Sequence, residues 1–359
     1  MKIFQVITVS EYGGAQSVVA NLSGELSKIP ANSLYVLSGG EGEAWGDLDS
    51  HIIKIRIDKH RKQISLKDIL LFFKLIYYRF KYNPDIVHLH SSKMGILGRL
   101  AFSKKKTVLT MHGFDSVRKV FRKYLVLERA LHERAARIVA VSQYDVEGMA
   151  EEGITGNVSL VYNGIPDRTQ EKREMDVEFE SVLQGLKHQY DKVIMCISRI
   201  SQQKKFDLFV DIALSMPQYA FVWIGNKEPV TGLPENAYCL GEAHAAHQYL
   251  AFADVFILPT NYEGMPISII EALSYGKPVV ASAVGGLPEI LNGENGYAVE
   301  NTVSAFQEAI DMTIENENIY SSMSQKARQT YLEHFTIDKM LAGYKTIYEQ
   351  IYKNNNKQK

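Results

Sequence analysis

The chain has 359 residues, 46% of them hydrophobic, with 40 Lys+Arg against 41 Asp+Glu for a formal net charge of −1. At about 100–200 residues per domain that length suits two domains, and the near-zero charge excludes a protein built to coat nucleic acid. Two cysteines, Cys196 and Cys239, exclude a disulfide scaffold and a thiolate zinc site, and no apolar run approaches the ~20 residues of a membrane span.

Short apolar, β-branched runs alternate with helical patterns along the whole chain. Strands are expected at 2–9, where the opening MKIFQVITVSEYGG runs into a glycine turn with no basic leader or cleavage site, and then at 32–38, 85–90, 106–112, 137–142 and 158–163. A second series follows at 192–199, 220–225, 237–241, 254–260 and 278–283, with helices between the strands at 16–28, 66–82, 117–136, 205–215, 267–275 and 303–313. Runs this apolar suit strands covered on both faces, so the fold class is α/β with two doubly wound, Rossmann-like domains facing a central cleft. The charged stretch 166–190 reads as the linker between a domain over 1–165 and another over 191–335. A last amphipathic helix, 338–352, is left over, and 353–359 is too polar to pack. The expected compartment is reducing and soluble.

The neutral total hides a split. Residues 1–170 carry 24 Lys+Arg against 17 Asp+Glu, whereas 171–359 carry 16 against 24. Within 54–123 the count is 18 against 4, which points the first half at an anionic surface or ligand.

The segment 257–291, ILPTNYEGMPISIIEALSYGKPVVASAVGGLPEIL, is the most informative. A strand ends near Thr260, a loop carries Glu263 and Gly264, and Pro266 stands where a helix would begin. The new helix offers a positive dipole end and free N–H groups, suited to a phosphate, with Met265, Ile267 and Ser268 as the backbone donors. Glu263 would project from the loop, and Glu271, eight residues on, from the helix. A carboxylate beside an anion site makes sense when it binds neutral hydroxyls, Glu271 on ribose and Glu263 on a sugar. An ordinary capped helix with a solvated glutamate fits the same residues.

The E-x7-E pattern followed by EALSYGKPVVAS and GGLPE resembles the donor-site signature of family-4 retaining glycosyltransferases of the GT-B fold, the type that builds bacterial surface polysaccharides. ISRISQQKKFDLFVDIA (197–213), VYNGI (161–165), YGGAQ (12–16), DIVHLHSS (85–92), TMHG (110–113) and ARIVAVS (136–142) resemble further family segments in order. The resemblance implies that Arg199 and Lys204 clamp the donor diphosphate and that His112 contacts the transferred sugar near the reacting carbon. Stabilising the leaving phosphate is the catalytic task, shared by Arg199, Lys204 and the helix N-terminus beside Glu263. Lys205 stands where the family has glycine, which leaves open which of the two lysines reaches the phosphates. Gly13 and Gly14 would let the backbone approach the diphosphate or the acceptor, although a generic β–α turn also explains them. No metal and no cofactor are implied beyond a nucleotide-sugar cosubstrate, a UDP-sugar favoured. The DLD at 47–49 reads as a surface turn, and HLH at 88–90 lacks companions for a metal site.

Over 65–82, Lys67, Lys74 and Lys81 recur every seven residues among aromatic side chains, a spacing that drifts only ~20° per heptad on a helix. With Lys104–Lys106, Arg118, Lys119, Arg122 and Lys123, this stripe could lie on anionic lipid; a buried helix with solvated lysines is the plainer reading. The expectation is a metal-independent, retaining enzyme at the inner face of the plasma membrane. Its donor would sit in the C-terminal domain and its acceptor, a lipid-linked glycan, in the N-terminal one. A GT-B sugar-nucleotide epimerase and a non-catalytic binding subunit are the alternatives.

Overall fold

The computed structural model describes residues 1–58, 67–171 and 175–357. The chain divides into two compact units, Met1–Pro166 together with Ile337–Lys359, and Asp167–Thr336. Unit 1 contains strands β1 (Lys2–Val9), β2 (Ser33–Gly39), β3 (Ile53–Asp58), β4 (Ile86–His90), β5 (Thr107–Met111), β6 (Arg137–Ala140) and β7 (Val158–Leu160). Its helices are α1 (Gly14–Ser27), α2 (Lys67–Tyr82), α3 (Ser92–Ala101), α4 (Leu125–Leu131) and α5 (Gln143–Glu151). Unit 2 contains β8 (Val193–Ile197), β9 (Ala220–Ile224), β10 (Ala237–Cys239), β11 (Val255–Leu258), β12 (Val279–Ser282) and β13 (Gly296–Val299). Its helices are α6 (Val177–Gln189), α7 (Phe206–Ser215), α8 (Ile267–Ser274), α9 (Leu287–Ile290), α10 (Val303–Ile314) and α11 (Glu317–His334), and the final helix, α12 (Ile337–Asn356), returns to unit 1.

Among the described residues both sheets are wholly parallel, ordered β3-β2-β1-β4-β5-β6-β7 and β10-β9-β8-β11-β12-β13. In each, the strand order reverses beside the first strand of the unit, and in such sheets ligands bind off the strand C-termini at that switch point. In unit 1, Phe4, Val6, Tyr35, Leu37, Val87, Leu89, Leu109 and Met111 pack one face of the sheet against Leu71, Leu75 and Met94 of α2 and α3. The alternate residues face the other way, where α12 buries Tyr344 and Tyr348 completely. Unit 2 is built likewise, with β8, β9 and β11 almost wholly buried.

Several elements differ from expectation. Within the expected linker 166–190 the division falls after Pro166, and 177–189 form helix α6, which the Asp176 carboxylate caps by accepting from Glu178 N–H at 2.8 Å. Residues 353–356 continue α12, whose Asn355 donates to the Lys105 carbonyl at 2.8 Å, so these four residues are held by a neighbouring turn. The expected helix 117–136 is broken into short turns around α4. Buried Asp115 draws in Arg118, Lys119 and the Tyr144 hydroxyl of α5, and these local ion pairs outweigh continuous helix. Strands β3 and β13 are edge strands, and an edge needs no long apolar run. At the start of β13 only glycine fits, since a Cβ on Gly296 (φ +148) would lie 2.1 Å from the Val279 carbonyl oxygen.

Arg99 and Glu128 form an ion pair between α3 and α4, 2.5 Å long and at most 1% exposed. Removing one partner strands a buried charge, so Glu128→Ala should lower unfolding free energy by about 3–5 kcal/mol. Urea denaturation measures it; a loss under about 1 kcal/mol contradicts the assignment.

Candidate active site

At the head of α8 the sequence folds as a parallel sheet requires. Strand β11 ends, the chain turns through Thr260–Gly264, and Pro266, with φ −65° and ψ 129°, stands just before the first helical residue. The N–H groups of Ile267 and Ser268 open the helix without intrahelical acceptors. Lys204, from the 3-10 turn after β8, places its Nζ 2.5 Å from Glu263 Oε1, and Thr260 Oγ1 donates to the same oxygen at 2.8 Å. Glu263 is 8% exposed, and its second carboxylate oxygen has no partner among the described residues. Gln203 fastens the two loops, donating to the Tyr262 carbonyl at 2.7 Å and accepting from Asn261 N–H at 2.8 Å. Lys204, Glu263, Gly264 and the α8 terminus therefore form one constellation: a cation, a carboxylate with an open oxygen, and a helix dipole.

A glycine presses against each of the two loops. Gly285, from the GG of the signature, sits at φ +58, where a Cβ would lie 1.8 Å from the Glu263 carbonyl oxygen. Gly225, at φ +120, backs the turn after β8, with its Cβ position 2.5 Å from the Ser198 carbonyl oxygen. Arg199 follows Ser198, exposed and with no side-chain partner among the described residues. Lys205 takes up the left-handed conformation, φ +39 and ψ +54, which accounts physically for glycine being usual at that place. Thus Lys204 faces Glu263 while Lys205 turns the chain into α7.

Glu271 lies on α8, half-buried, and burial raises its carboxyl to about 7 against the pull of Arg168. Arg168 also acts on His247, whose imidazole burial drives down to about 4 and whose Nε2 has no hydrogen-bond partner. Gly285 belongs to the GGLPE element of the signature, whereas neither Arg168 nor Gly225 stands in a motif that marks a site in the sequence.

In unit 1, Gly13 precedes α1 with an extended φ of 170°, and neither it nor Gly14 lies in the left-handed region, so backbone strain does not explain this pair. His112 follows β5, half-buried, its Nε2 3.0 Å from His90 Nδ1 and the two rings stacked at 23°. Burial drives the His112 imidazole down to about 4 and keeps it neutral. His88 and His90 spend both ring nitrogens on hydrogen bonds. Among the described residues no three His, Cys, Asp or Glu side chains gather as a metal site.

Residues 191–316 match a family model described as Glycosyl transferases group 1, and 12–168 one described as Glycosyltransferase Family 4. The crystal structure of Anabaena Alr3699/HepE in complex with UDP and glucose superposes with a TM-score of 0.82 at 19% identity, covering 97% of this chain and 99% of that one. The chain is a family-4 glycosyltransferase of the GT-B fold. The lipopolysaccharide-biosynthesis glycosyltransferase WaaG shares the fold at a TM-score of 0.75, 15% identity and 98% and 99% coverage. Among curated relatives, the Escherichia coli UDP-Gal:alpha-D-GlcNAc-diphosphoundecaprenol alpha-1,3-galactosyltransferase is 28% identical over 79% of each chain. The E. coli O-antigen biosynthesis glycosyltransferase WbnH is 25% identical over 95% of this glycosyltransferase and 97% of itself.

Two outcomes test this geometry. Lys205→Gly should raise stability by about 1–2 kcal/mol by relieving the left-handed residue, measured by urea denaturation; a loss contradicts the strain. The Glu271 carboxyl holds its proton in the native state up to about 7, against a usual 4.5. The native state therefore binds the extra proton between those values, and stability falls as pH rises through that window. Thermal unfolding of Glu271→Gln between pH 4.5 and 7 should lack this decline, and an unchanged slope would exclude the assignment.

Proposed function

We propose that this glycosyltransferase moves a sugar, with retention and without a metal ion, from a nucleoside-diphosphate sugar to a lipid-linked glycan during surface-polysaccharide assembly. The Lys204–Glu263 pair at the head of α8 carries the reading. The departing diphosphate gains negative charge, and fixed positive groups that await it lower the barrier without reorganising. Lys204 and the Ile267 and Ser268 N–H groups supply that field, and Arg199, whose side chain has no partner among the described residues, is available to join them. Glu263, already satisfied on one oxygen, keeps the other to accept from a sugar hydroxyl. Glu271, farther along α8, would accept from the ribose. A UDP-sugar is favoured because HepE binds UDP and glucose and the E. coli relative is named for UDP-Gal.

The same relative's name includes a diphosphoundecaprenol acceptor, and unit 1 carries a surface suited to a lipid substrate. Ile69, Leu70, Phe73, Tyr77 and Phe80 of α2 are 56–75% exposed along one side of the helix. Lys74 donates to the Ile57 carbonyl, Lys81 lies over the Tyr77 and Tyr82 rings, and the Lys67 side chain lies outside the described residues. The face is therefore apolar and aromatic with lysines beside it, rather than a plain basic stripe, and would enter the headgroup layer of the inner leaflet. Among the described residues no helix is long and apolar enough to cross a membrane.

With UDP-galactose and undecaprenyl-diphosphate-linked N-acetylglucosamine, UDP release should fall roughly ten- to hundred-fold in Lys204→Ala, the worth of a charge-assisted hydrogen bond. EDTA should leave the rate unchanged, and the product should keep the donor's α configuration; a β-linked product, or full activity of Lys204→Ala, overturns the reading. Binding to anionic vesicles should weaken with salt and fail in Phe73→Ser/Phe80→Ser, whereas equal binding by that variant would remove α2 from the membrane.

A further inference from the structure

Beneath α12 the sheet of unit 1 carries polar side chains where alternation would place aliphatic ones. Gln5 on β1 is in register with His88 on β4, and His90 with Thr110 on β5, so all four leave the sheet on the same face. None is more than 1% exposed. From α12, Tyr348 Oη lies 2.6 Å from His88 Nδ1 and accepts from Gln5 Nε2 at 3.2 Å. Thr110 Oγ1 lies 2.6 Å from His88 Nε2 and 2.9 Å from Tyr344 Oη. The set is fully paired at a depth where an unpaired polar atom is costly.

Gln5 gives the set its direction, because its amide has an acceptor at one atom and donors at the other. Its Oε1 lies 2.8 Å from His90 Nε2, so that nitrogen carries the hydrogen. A neutral imidazole has one N–H, which leaves His90 Nδ1 as a lone pair. Its neighbour at 3.0 Å, His112 Nε2, must then donate. Burial keeps His90 and His112 neutral. His112 Nδ1 has no partner among the described residues and is a bare acceptor.

We propose that Gln5, acting through His90, is a positioning residue that fixes the Nε2–H tautomer of His112 and so presents Nδ1 as an acceptor to a hydroxyl of the transferred sugar. This rests on the reading that His112 touches that sugar. An acceptor nitrogen welcomes a hydroxyl and refuses a phosphate oxygen, which can only accept. The tautomer therefore fits His112 to a sugar hydroxyl and not to a phosphate oxygen.

The test uses the full chain with nitrogen-15-labelled histidine, where NMR separates protonated from bare ring nitrogens, and UDP release from UDP-galactose. His112 in the wild type should show Nε2 protonated and Nδ1 bare. Gln5→Met, close in volume but without an acceptor, should give a mixture of tautomers and lower kcat about ten-fold with KM unchanged, the effect of about one hydrogen bond. Gln5→Glu, which restores an acceptor towards His90, should recover both the single tautomer and the rate. A protonated Nδ1 in the wild type, a fixed tautomer in Gln5→Met, or a mixed tautomer with undiminished kcat each overturns the proposal. His112→Ala with unchanged kcat would instead overturn the contact between His112 and the sugar, leaving the tautomer result standing.

Discussion

A parallel sheet has to be covered on both faces, and most of this molecule follows from that requirement. Parallel strands need crossover connections, and the crossovers are helices whose N-termini rise off the strand C-termini. The chemistry-bearing side chains therefore collect at those ends: Lys204 after β8, Glu263 after β11, His112 after β5. In unit 1 the first 166 residues leave part of one face for α12 to cover, and α12 brings tyrosines rather than leucines. The price of that choice is a buried polar seam, tolerable because it is completely hydrogen-bonded.

The two units solve different electrostatic problems. With α12 counted in, unit 1 holds 28 Lys+Arg against 18 Asp+Glu and unit 2 holds 12 against 23. Much of the positive charge in unit 1 is already committed, since Arg118, Lys119 and Arg99 are in ion pairs and Lys106 donates to the Pro84 carbonyl. The exposed aromatic face of α2 is thus as informative as the net charge. In unit 2 the overall negative charge surrounds a few placed cations, and the helix dipole of α8 does locally what composition does not.

The alternating strands, the two-part architecture and the E-x7-E block were legible because each is written in consecutive residues. Glu263, Glu271, Arg199 and Lys204 could be named from their motifs, and Lys205 could be flagged as unusual. What could not be read was anything made by a particular side-chain contact, whether across one turn or between distant segments. The Thr260 hydroxyl on Glu263, the Gly285 approach to the Glu263 carbonyl, and the Arg168 influence on Glu271 span from three to more than a hundred residues of chain. Edge strand β3 escaped because one paired side relaxes the apolar pattern. Helix α6 escaped because a charged amphipathic helix and a charged linker have similar composition; only the Asp176 cap distinguishes them.

The discontinuity of unit 1 has a consequence during synthesis. Unit 2 is one continuous stretch, so all its strands have emerged before Tyr344 and Tyr348 are made. At roughly 5–20 residues per second, the sheet of unit 1 waits about ten to forty seconds for its cover. An aliphatic face left bare that long on a nascent chain would invite aggregation. Gln5, His88, His90 and Thr110 make the waiting surface one that water can wet.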